Sequence, residues 1–143
     1  AIPPAGEARS AGHPLAQAAA QAAATAQDAW GSLDFRAAAE AALQLAIQAN
    51  GFLNEQAPWK AMKQEGNATA VAADLYAVLE AARLVACLLA PLLPELSGRM
   101  LNQLTQPEAP AWPQSLAWGL LEPGTSLPEP QPVMARLELD GPL

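Results

Sequence analysis

The placement of proline constrains the fold of this chain more than any other sequence feature. Of its 14 prolines, only Pro14 and Pro58 fall between Ala5 and Lys60, whereas eight follow Gln106. Proline disrupts a helix interior because its ring clashes with the preceding turn and it has no N–H to donate. The proline-poor part is rich in alanine, the best intrinsic helix former. The sequence therefore predicts an all-α chain that ends in an extended tail.

Apolar residues recur at helical spacing along the proline-poor part of the chain. Pro14 is placed at the first helical position, where its missing N–H costs nothing. Pro58 ends a later helix, because it disfavours the α conformation in the residue before it. The predicted helices cover residues 13–30, 34–57, 68–90 and 94–104, and the third is predicted to be the most buried. Its predicted buried stripe is Leu75, Val78, Leu79, Ala82, Val85, Ala86 and Leu89.

We interpret the chain as one domain that follows an N-terminal linker. Residues 1–12 contain prolines and glycines without any periodicity, and they are assigned to the linker. Residues 13–143 are assigned to the domain, an antiparallel helix bundle. Its tail, from about residue 105 to 143, is predicted to lie across the bundle and to contain a short strand at 133–139. Asn67 is interpreted as a helix-capping residue.

Charge and composition exclude several classes of function. The net charge of −7 weighs against simple nucleic-acid binding, because attraction to phosphates supplies most nonspecific affinity. One His and one Cys cannot build a zinc site, and the chain has no glycine loop that would hold a phosphate. We therefore predict no catalytic residues and no metal ligands, and we interpret the carboxylates as solvated helix faces. The three methionines are too scattered to predict a binding surface.

Targeting features are also missing from the sequence. No signal peptide accompanies the glycosylation triplet that begins at Asn67, and the single Cys87 cannot form an internal disulfide. The apolar run at residues 84–93 is too short to span a bilayer. We therefore expect a cytoplasmic chain with no membrane partner.

Four segments, taken in order, resemble the anticodon-binding domain of methionyl-tRNA synthetases. They are ANGFLNEQAPWK at 49–60, DLYAVLEA at 74–81, LAPLLPE at 89–95 and WGLLEPG at 118–124. The resemblance extends from about residue 13 to residue 139. Synthetases for leucine, isoleucine, valine and cysteine share the fold, but they are less similar at the Ala-Pro-Trp run of residues 57–59.

The resemblance implies a function within a larger enzyme. The parent enzyme joins methionine to its tRNA with ATP, and both small molecules bind a catalytic domain whose His-x-Gly-His and Lys-Met-Ser-Lys type motifs do not occur in these residues. The chain itself is expected to bind no cofactor. Its implied partners are the methionine-specific tRNA, read at the CAU anticodon, and the catalytic domain of the same enzyme. DNA is not an expected partner.

The resemblance also implies a set of RNA-binding residues. The Trp that corresponds to Trp59 stacks on an anticodon base in the family; the alternative is a core aromatic that plugs the end of the helix. Lys60 and Lys63 are candidates for phosphate contacts, or else they are solvated surface lysines. Asn50 and Asn54 share a helix face by their spacing. They are candidates for hydrogen bonds to a base edge, or they tie the helix to the following turn.

A second function remains open at this stage. The chain is alternatively a free-standing helical protein-interaction module that retains the scaffold without RNA binding. The acidic net charge favours it, and so does Gly51, which stands where family members usually carry a longer polar or basic residue. The family's first anticodon helix, with its Asn-x-x-x-Arg pair, is expected upstream of Ala1. This alternative predicts an apolar groove and no salt-sensitive RNA binding.

Overall fold

The computed structural model describes residues 1–106 and 111–135. Within these ranges, five α-helices follow one another as α1 (Pro14–Gly31), α2 (Phe35–Gln56), α3 (Pro58–Ala61), α4 (Ala68–Leu89) and α5 (Pro94–Gln103). Two 3₁₀ turns, Gly6–Arg9 and Gln114–Leu116, lie outside them. No β-strand occurs in the described ranges. The all-α prediction is confirmed, and the bounds of the four long helices agree with the predicted ones to within one or two residues.

Side chains at the helix starts explain where the helices begin. His13 precedes Pro14 and accepts the Leu15 N–H at Nδ1, over 3.2 Å. Asp34 is the N-cap of α2 and accepts the Ala37 N–H over 2.9 Å. A carboxylate there satisfies a backbone donor that has no partner within the helix.

Asn67 occupies the predicted capping position before α4, but its side chain caps nothing. Its amide nitrogen instead donates to the side-chain oxygen of Gln64, over 3.0 Å. The N-cap position was therefore predicted correctly, and the role of the side chain was not. The backbone of Asn67 is in the right-handed helical region, with φ −87° and ψ −3°, rather than in the extended conformation of a capping residue.

The core is centred on α4, against which α1, α2, α5 and both 3₁₀ turns pack. The prediction that this helix is the most buried is confirmed, but its buried surface is wider than the predicted stripe. Leu75, Val78 and Leu79 are only half-buried. Fully buried residues occur on other faces of the helix, including Tyr76, Ala77, Glu80, Ala81, Arg83 and Leu84. A helix with neighbours on several sides has no single apolar stripe.

A buried ion pair joins α4 to the tail. Glu80, interpreted from sequence as part of a solvated face, is fully buried and accepts from Nε and Nη2 of Arg83 over 2.9 and 2.7 Å. It also accepts the backbone N–H groups of residues 119–121, over 2.9 to 3.0 Å. Arg83 in turn donates to the carbonyl oxygens of Ser115 and Ala117. The pair thus satisfies backbone groups at both ends of one tail segment.

The N-terminal segment packs against the domain rather than extending as a linker. The Ile2 side chain is 1% exposed, its N–H donates to Thr125 O, and its carbonyl accepts from the Gly124 N–H, both over 2.8 Å. Trp118 donates its indole N–H to Ala8 O over 2.7 Å. Local hydrogen bonds, such as those from Ala8 N–H to Ala5 O and from Ser10 N–H to Glu7 O, form its 3₁₀ turn, and the bonds of Ile2 join the segment to the tail. Trp118 therefore fastens the tail to the N-terminal segment.

The tail follows the bundle as predicted, although part of the prediction lies outside the described residues. Trp112 donates its indole N–H to Cys87 O on α4, over 3.1 Å. Of the predicted strand at 133–139, the described residues 133–135 are not in a strand, and the remainder lies outside the described ranges. Residues 107–110 of the predicted tail also lie outside them.

Candidate nucleic-acid interface

A sharp corner separates α2 from α3. Ala57 ends α2 in the left-handed conformation, with φ 42° and ψ 60°, and its N–H donates to Leu53 O over 3.0 Å. Pro58 is buried and occupies the first position of α3. Proline disfavours the right-handed helix in the residue before it but suits the first helical position itself. The Ala-Pro dipeptide therefore ends α2 and starts a new helical turn within two residues.

Trp59 projects from this corner. It follows the buried Pro58, and 52% of the residue is exposed. An aromatic that plugs a helix end is expected to be largely covered, whereas this ring keeps solvent-facing surface. A base that stacks on such a ring gains roughly 1–3 kcal/mol. The stacking role remains a prediction from the resemblance, and the geometry is compatible with it.

Lys60 and Lys63 are the only lysines in the chain, and both are exposed on the same turn as Trp59. Within residues 1–106 and 111–135, neither forms a salt bridge. The arginines Arg9, Arg36 and Arg83, by contrast, pair with carboxylates. As far as the described residues show, the corner is therefore a local concentration of unpaired positive charge on an acidic chain.

Asn50 and Asn54 are both exposed on α2, one turn apart, just before the corner. In the part of the chain that the structure describes, neither side chain makes a hydrogen bond with the protein. The alternative in which they tie α2 to the next turn therefore has no contact to support it here. Their amides are available to an external partner, with two donors and two acceptor lone pairs each.

Gly51 lies beside Asn50, and a Cβ built at this position has no neighbouring atom within 4 Å. The glycine is therefore not required by close packing. Its helical backbone also needs no special conformation, because it lies inside α2. A longer side chain fits at this position.

An aromatic cluster holds α2 next to the start of α1. The His13 ring lies edge-on to Phe52, with centroids 5.3 Å apart, and parallel to Trp118 at 6.4 Å. Burial lowers the pKa of His13, while the Asp74 carboxylate nearby acts in the opposite direction. The pKa of Asp74 is itself raised by burial. His13 is thus a helix-start residue, as predicted, with an additional packing role.

Met62 is the residue at the corner that sequence reasoning missed. It follows α3 in helical conformation, and its side chain is exposed. Three methionines spread along a sequence give no sign of which one faces solvent beside a tryptophan. The available signal was local: Met62 lies three residues after Trp59 and directly before a lysine.

Other kinds of site have little support in the described part of the chain. Nowhere in it do three His, Cys, Asp or Glu side chains converge in the manner of metal ligands. None of its helices combines the length and the apolar character needed to cross a membrane.

The fold is that of the helical anticodon-binding domains of class I aminoacyl-tRNA synthetases, with the aromatic and two lysines at one exposed corner. The family model described as the anticodon binding domain of methionyl tRNA ligase matches residues 2–141. The chain belongs to this family, and the whole α2–α3 corner lies within the match.

Several relatives are methionine–tRNA ligases. The enzyme of Thermosynechococcus vestitus is 38% identical over 135 residues, which are 89% of this chain and 25% of that protein. The enzyme of Myxococcus xanthus is 33% identical over 134 residues, covering 93% of this chain and 19% of that protein. The chain therefore spans about a quarter or less of the length of these relatives.

A solved structure agrees in fold. The crystal structure of the apo, free-state methionyl-tRNA synthetase of Mycobacterium tuberculosis superposes with a TM-score of 0.82 at 29% sequence identity. The similarity covers 97% of this chain and 28% of that chain. The match includes the N-terminal segment as well as the helices.

Proposed function

We propose that this chain is the tRNA-binding part of a methionine–tRNA ligase and that the corner at α3 contacts the CAU anticodon. The observation that supports this most strongly is the half-exposed Trp59, carried on a turn that Pro58 fixes and followed by two lysines that pair with no carboxylate among the described residues. Aromatic rings and positive charge together are what single-stranded nucleic acids bind.

The mechanism is recognition rather than catalysis. Loop bases of RNA are unstacked, so they can be splayed out, stacked on an aromatic and read at their edges. Trp59 supplies the stacking surface. Lys60 and Lys63 contact the phosphates that follow. Asn50 and Asn54, free of contacts within the described protein, hydrogen-bond a base edge.

The catalytic steps belong to a part of the enzyme outside these residues. We propose that ATP and methionine bind a catalytic domain there and that this chain itself takes no cofactor. Binding energy gained far from the reacting atoms can be used to position the reacting end of a substrate. Holding the anticodon would then place the acceptor end of the tRNA in that catalytic domain.

The test compares Trp59→Ala with Phe35→Ala as a matched control. Both aromatics are 52% exposed. Phe35 begins α2 and Trp59 lies just beyond its other end, so this 22-residue helix, roughly 33 Å long, separates them. Trp59→Ala is expected to weaken binding of an RNA hairpin with a CAU loop about 5- to 150-fold, corresponding to the loss of one stacked base. Phe35→Ala is expected to leave that affinity unchanged.

Thermal unfolding followed by circular dichroism checks that Trp59→Ala remains folded. Equal affinity of the wild-type chain and a folded Trp59→Ala variant would contradict the site. Absence of hairpin binding by the wild-type chain at low salt would contradict RNA binding itself and favour the protein-interaction alternative.

A further inference from the structure

The turn that carries Trp59 continues in helical form beyond α3. The Met62 N–H donates to Pro58 O over 2.9 Å, and Met62 has φ −62° and ψ −20°. The Lys63 N–H then donates to Lys60 O over 3.1 Å. Helical register is therefore maintained from Trp59 through Lys63.

Two apolar side chains point the same way from this turn. Residues three apart on a helical turn have Cβ atoms roughly 5–6 Å apart on one side. Trp59 and Met62 have this spacing, and Met62 is 68% exposed. Lys60 and Lys63 repeat the spacing one residue later. The segment therefore contains two pairs of an apolar residue followed by a lysine, with Ala61 between them.

We propose that Met62 and Lys63 form a second nucleotide subsite beside Trp59 and Lys60. Two consecutive nucleotides of a single-stranded RNA loop then bind across α3, one to each pair. This inference rests on the proposed function, because it assumes that RNA occupies the corner. It adds a base-contacting residue and a definite order of contacts.

Each pair matches the two chemically distinct parts of a nucleotide. A base presents an apolar face, and a polarizable thioether packs well against aromatic rings. A phosphate carries a negative charge, which the neighbouring ammonium group complements. The Trp59 indole and the Met62 thioether therefore serve two bases, and Lys60 and Lys63 serve two phosphates.

The lysines also make RNA a better occupant than a protein. Lysine is depleted from protein–protein interfaces, whereas methionine and tryptophan are enriched there. Here the chain's only two lysines lie directly beside the exposed apolar side chains. An anionic partner with apolar faces fits this alternation, and single-stranded RNA has both properties.

The first test is Met62→Gln against a matched control, Met134→Gln. The two methionines are 68% and 69% exposed, so that each substitution removes a similar amount of apolar surface. Glutamine has nearly the helix propensity of methionine, so α3 is preserved. Met62→Gln is expected to weaken binding of the CAU hairpin about 2- to 12-fold, the range for one sulfur–aromatic contact. Met134→Gln is expected to have no effect.

The second test locates the contacts with hairpins that carry a single abasic nucleotide at successive loop positions. In the wild-type chain, removal of either contacted base weakens binding. In Trp59→Ala the penalty disappears at one position, and in Met62→Gln it is expected to disappear at the neighbouring one. Loss of the penalty at the same position, or at positions that are not adjacent, would overturn the second subsite.

The outcomes separate this inference from the function on which it rests. If Trp59→Ala weakens binding and Met62→Gln does not, the second subsite is wrong and the anticodon-binding proposal stands. If the wild-type chain fails to bind any hairpin at low salt, both are wrong. A drop in affinity for Met134→Gln equal to that for Met62→Gln would likewise overturn the subsite.

Discussion

At the residue scale, the protonation state of the His13 imidazole decides whether it can cap the start of α1. Its Nδ1 accepts the Leu15 N–H over 3.2 Å, which requires that this nitrogen carries no proton. Its ring is packed against Phe52 and Trp118, and burial lowers its pKa below the ordinary 6.5. The unfolded chain therefore takes up this proton more readily than the folded chain does, and stability is lost when it does so.

His13→Asn tests this linkage, because asparagine is an effective N-cap that does not titrate. Above pH 6.5 the histidine is neutral in both the folded and the unfolded states, and its contribution is fully present. As the pH falls through 6.5, the unfolded wild-type chain is protonated and the wild type loses stability that the variant keeps. Urea unfolding measures the free energy of unfolding of both proteins between pH 8 and pH 5. The value for the wild type minus that for the variant is expected to decrease as the pH falls. Parallel profiles would contradict this role of His13.

Single residues were predicted well where the cause is local. Pro14 and Pro58 fix two helix ends through the backbone of their immediate neighbours, and the sequence shows this directly. The stacking of His13 on Trp118 joins residues far apart in the chain, and no local pattern indicates it. The exposure of Met62 depends on which side of α3 faces solvent, and this also requires the fold.

At the element scale, α4 shows how tertiary contact overrides a local pattern. Glu80 and Arg83 have a three-residue spacing that is typical of an exposed ion pair on a helix surface. The structure buries both because residues 115–121 of the tail lie across them. A buried pair is costly to break, since removing one partner leaves an uncompensated charge.

Glu80→Gln is expected to destabilise the chain by about 3–5 kcal/mol, because Arg83 loses its counter-charge inside the protein. The glutamine also has one acceptor oxygen in place of two, and its NH₂ faces backbone N–H donors. Glu40→Gln is the matched control, since Glu40 accepts from Arg36 over 2.7 Å at the surface. Urea unfolding at pH 7 is expected to show an unchanged midpoint for the control. Equal midpoints for both variants would show that the buried pair contributes no stability.

At the scale of the whole molecule, the two ends of the described chain hold each other. The Ile2 backbone pairs with Gly124 and Thr125, and Arg9 Nη2 donates to Leu121 O over 3.0 Å. The segment assigned to a linker from sequence is therefore part of the packed domain. Its burial could not be predicted, because its partners are as distant along the chain as Tyr76 on α4 and Leu121 in the tail, and it has no periodicity of its own.

Ile2→Ala distinguishes a packed segment from a linker. Ile2 is 1% exposed, and truncating a buried isoleucine costs about 2–5 kcal/mol, so a lower free energy of unfolding is expected. Ile47→Ala is the control, because Ile47 is 61% exposed on α2 and such surface changes stay within about 0.5 kcal/mol. Urea unfolding at neutral pH measures both. A linker-like N-terminus would show the same small change for the two variants.

The helical architecture as a whole was predictable from the sequence. The packing of the N-terminal segment and of the tail against the helices was not. The bounds of the four long helices follow from periodicity and from the segregation of proline, which act within a few residues, whereas the short α3 was not among the predicted helices. The burial on α4 and the docking of the N-terminal segment depend on long-range contacts that composition does not encode. The candidate site could be predicted only in part. The Ala-Pro-Trp corner follows from neighbouring residues, whereas the exposure of its side chains depends on the fold.

The central claim is that this corner reads an anticodon, and the most direct measurement is a titration with two RNA hairpins that differ only in a CAU or a CAC loop. Tighter binding to CAU is expected at low salt. For contacts to two phosphates, the logarithm of the association constant should fall with the logarithm of salt concentration at a slope of about −1.4. Equal affinity for the two loops, or no binding by the folded chain at low salt, would contradict the claim.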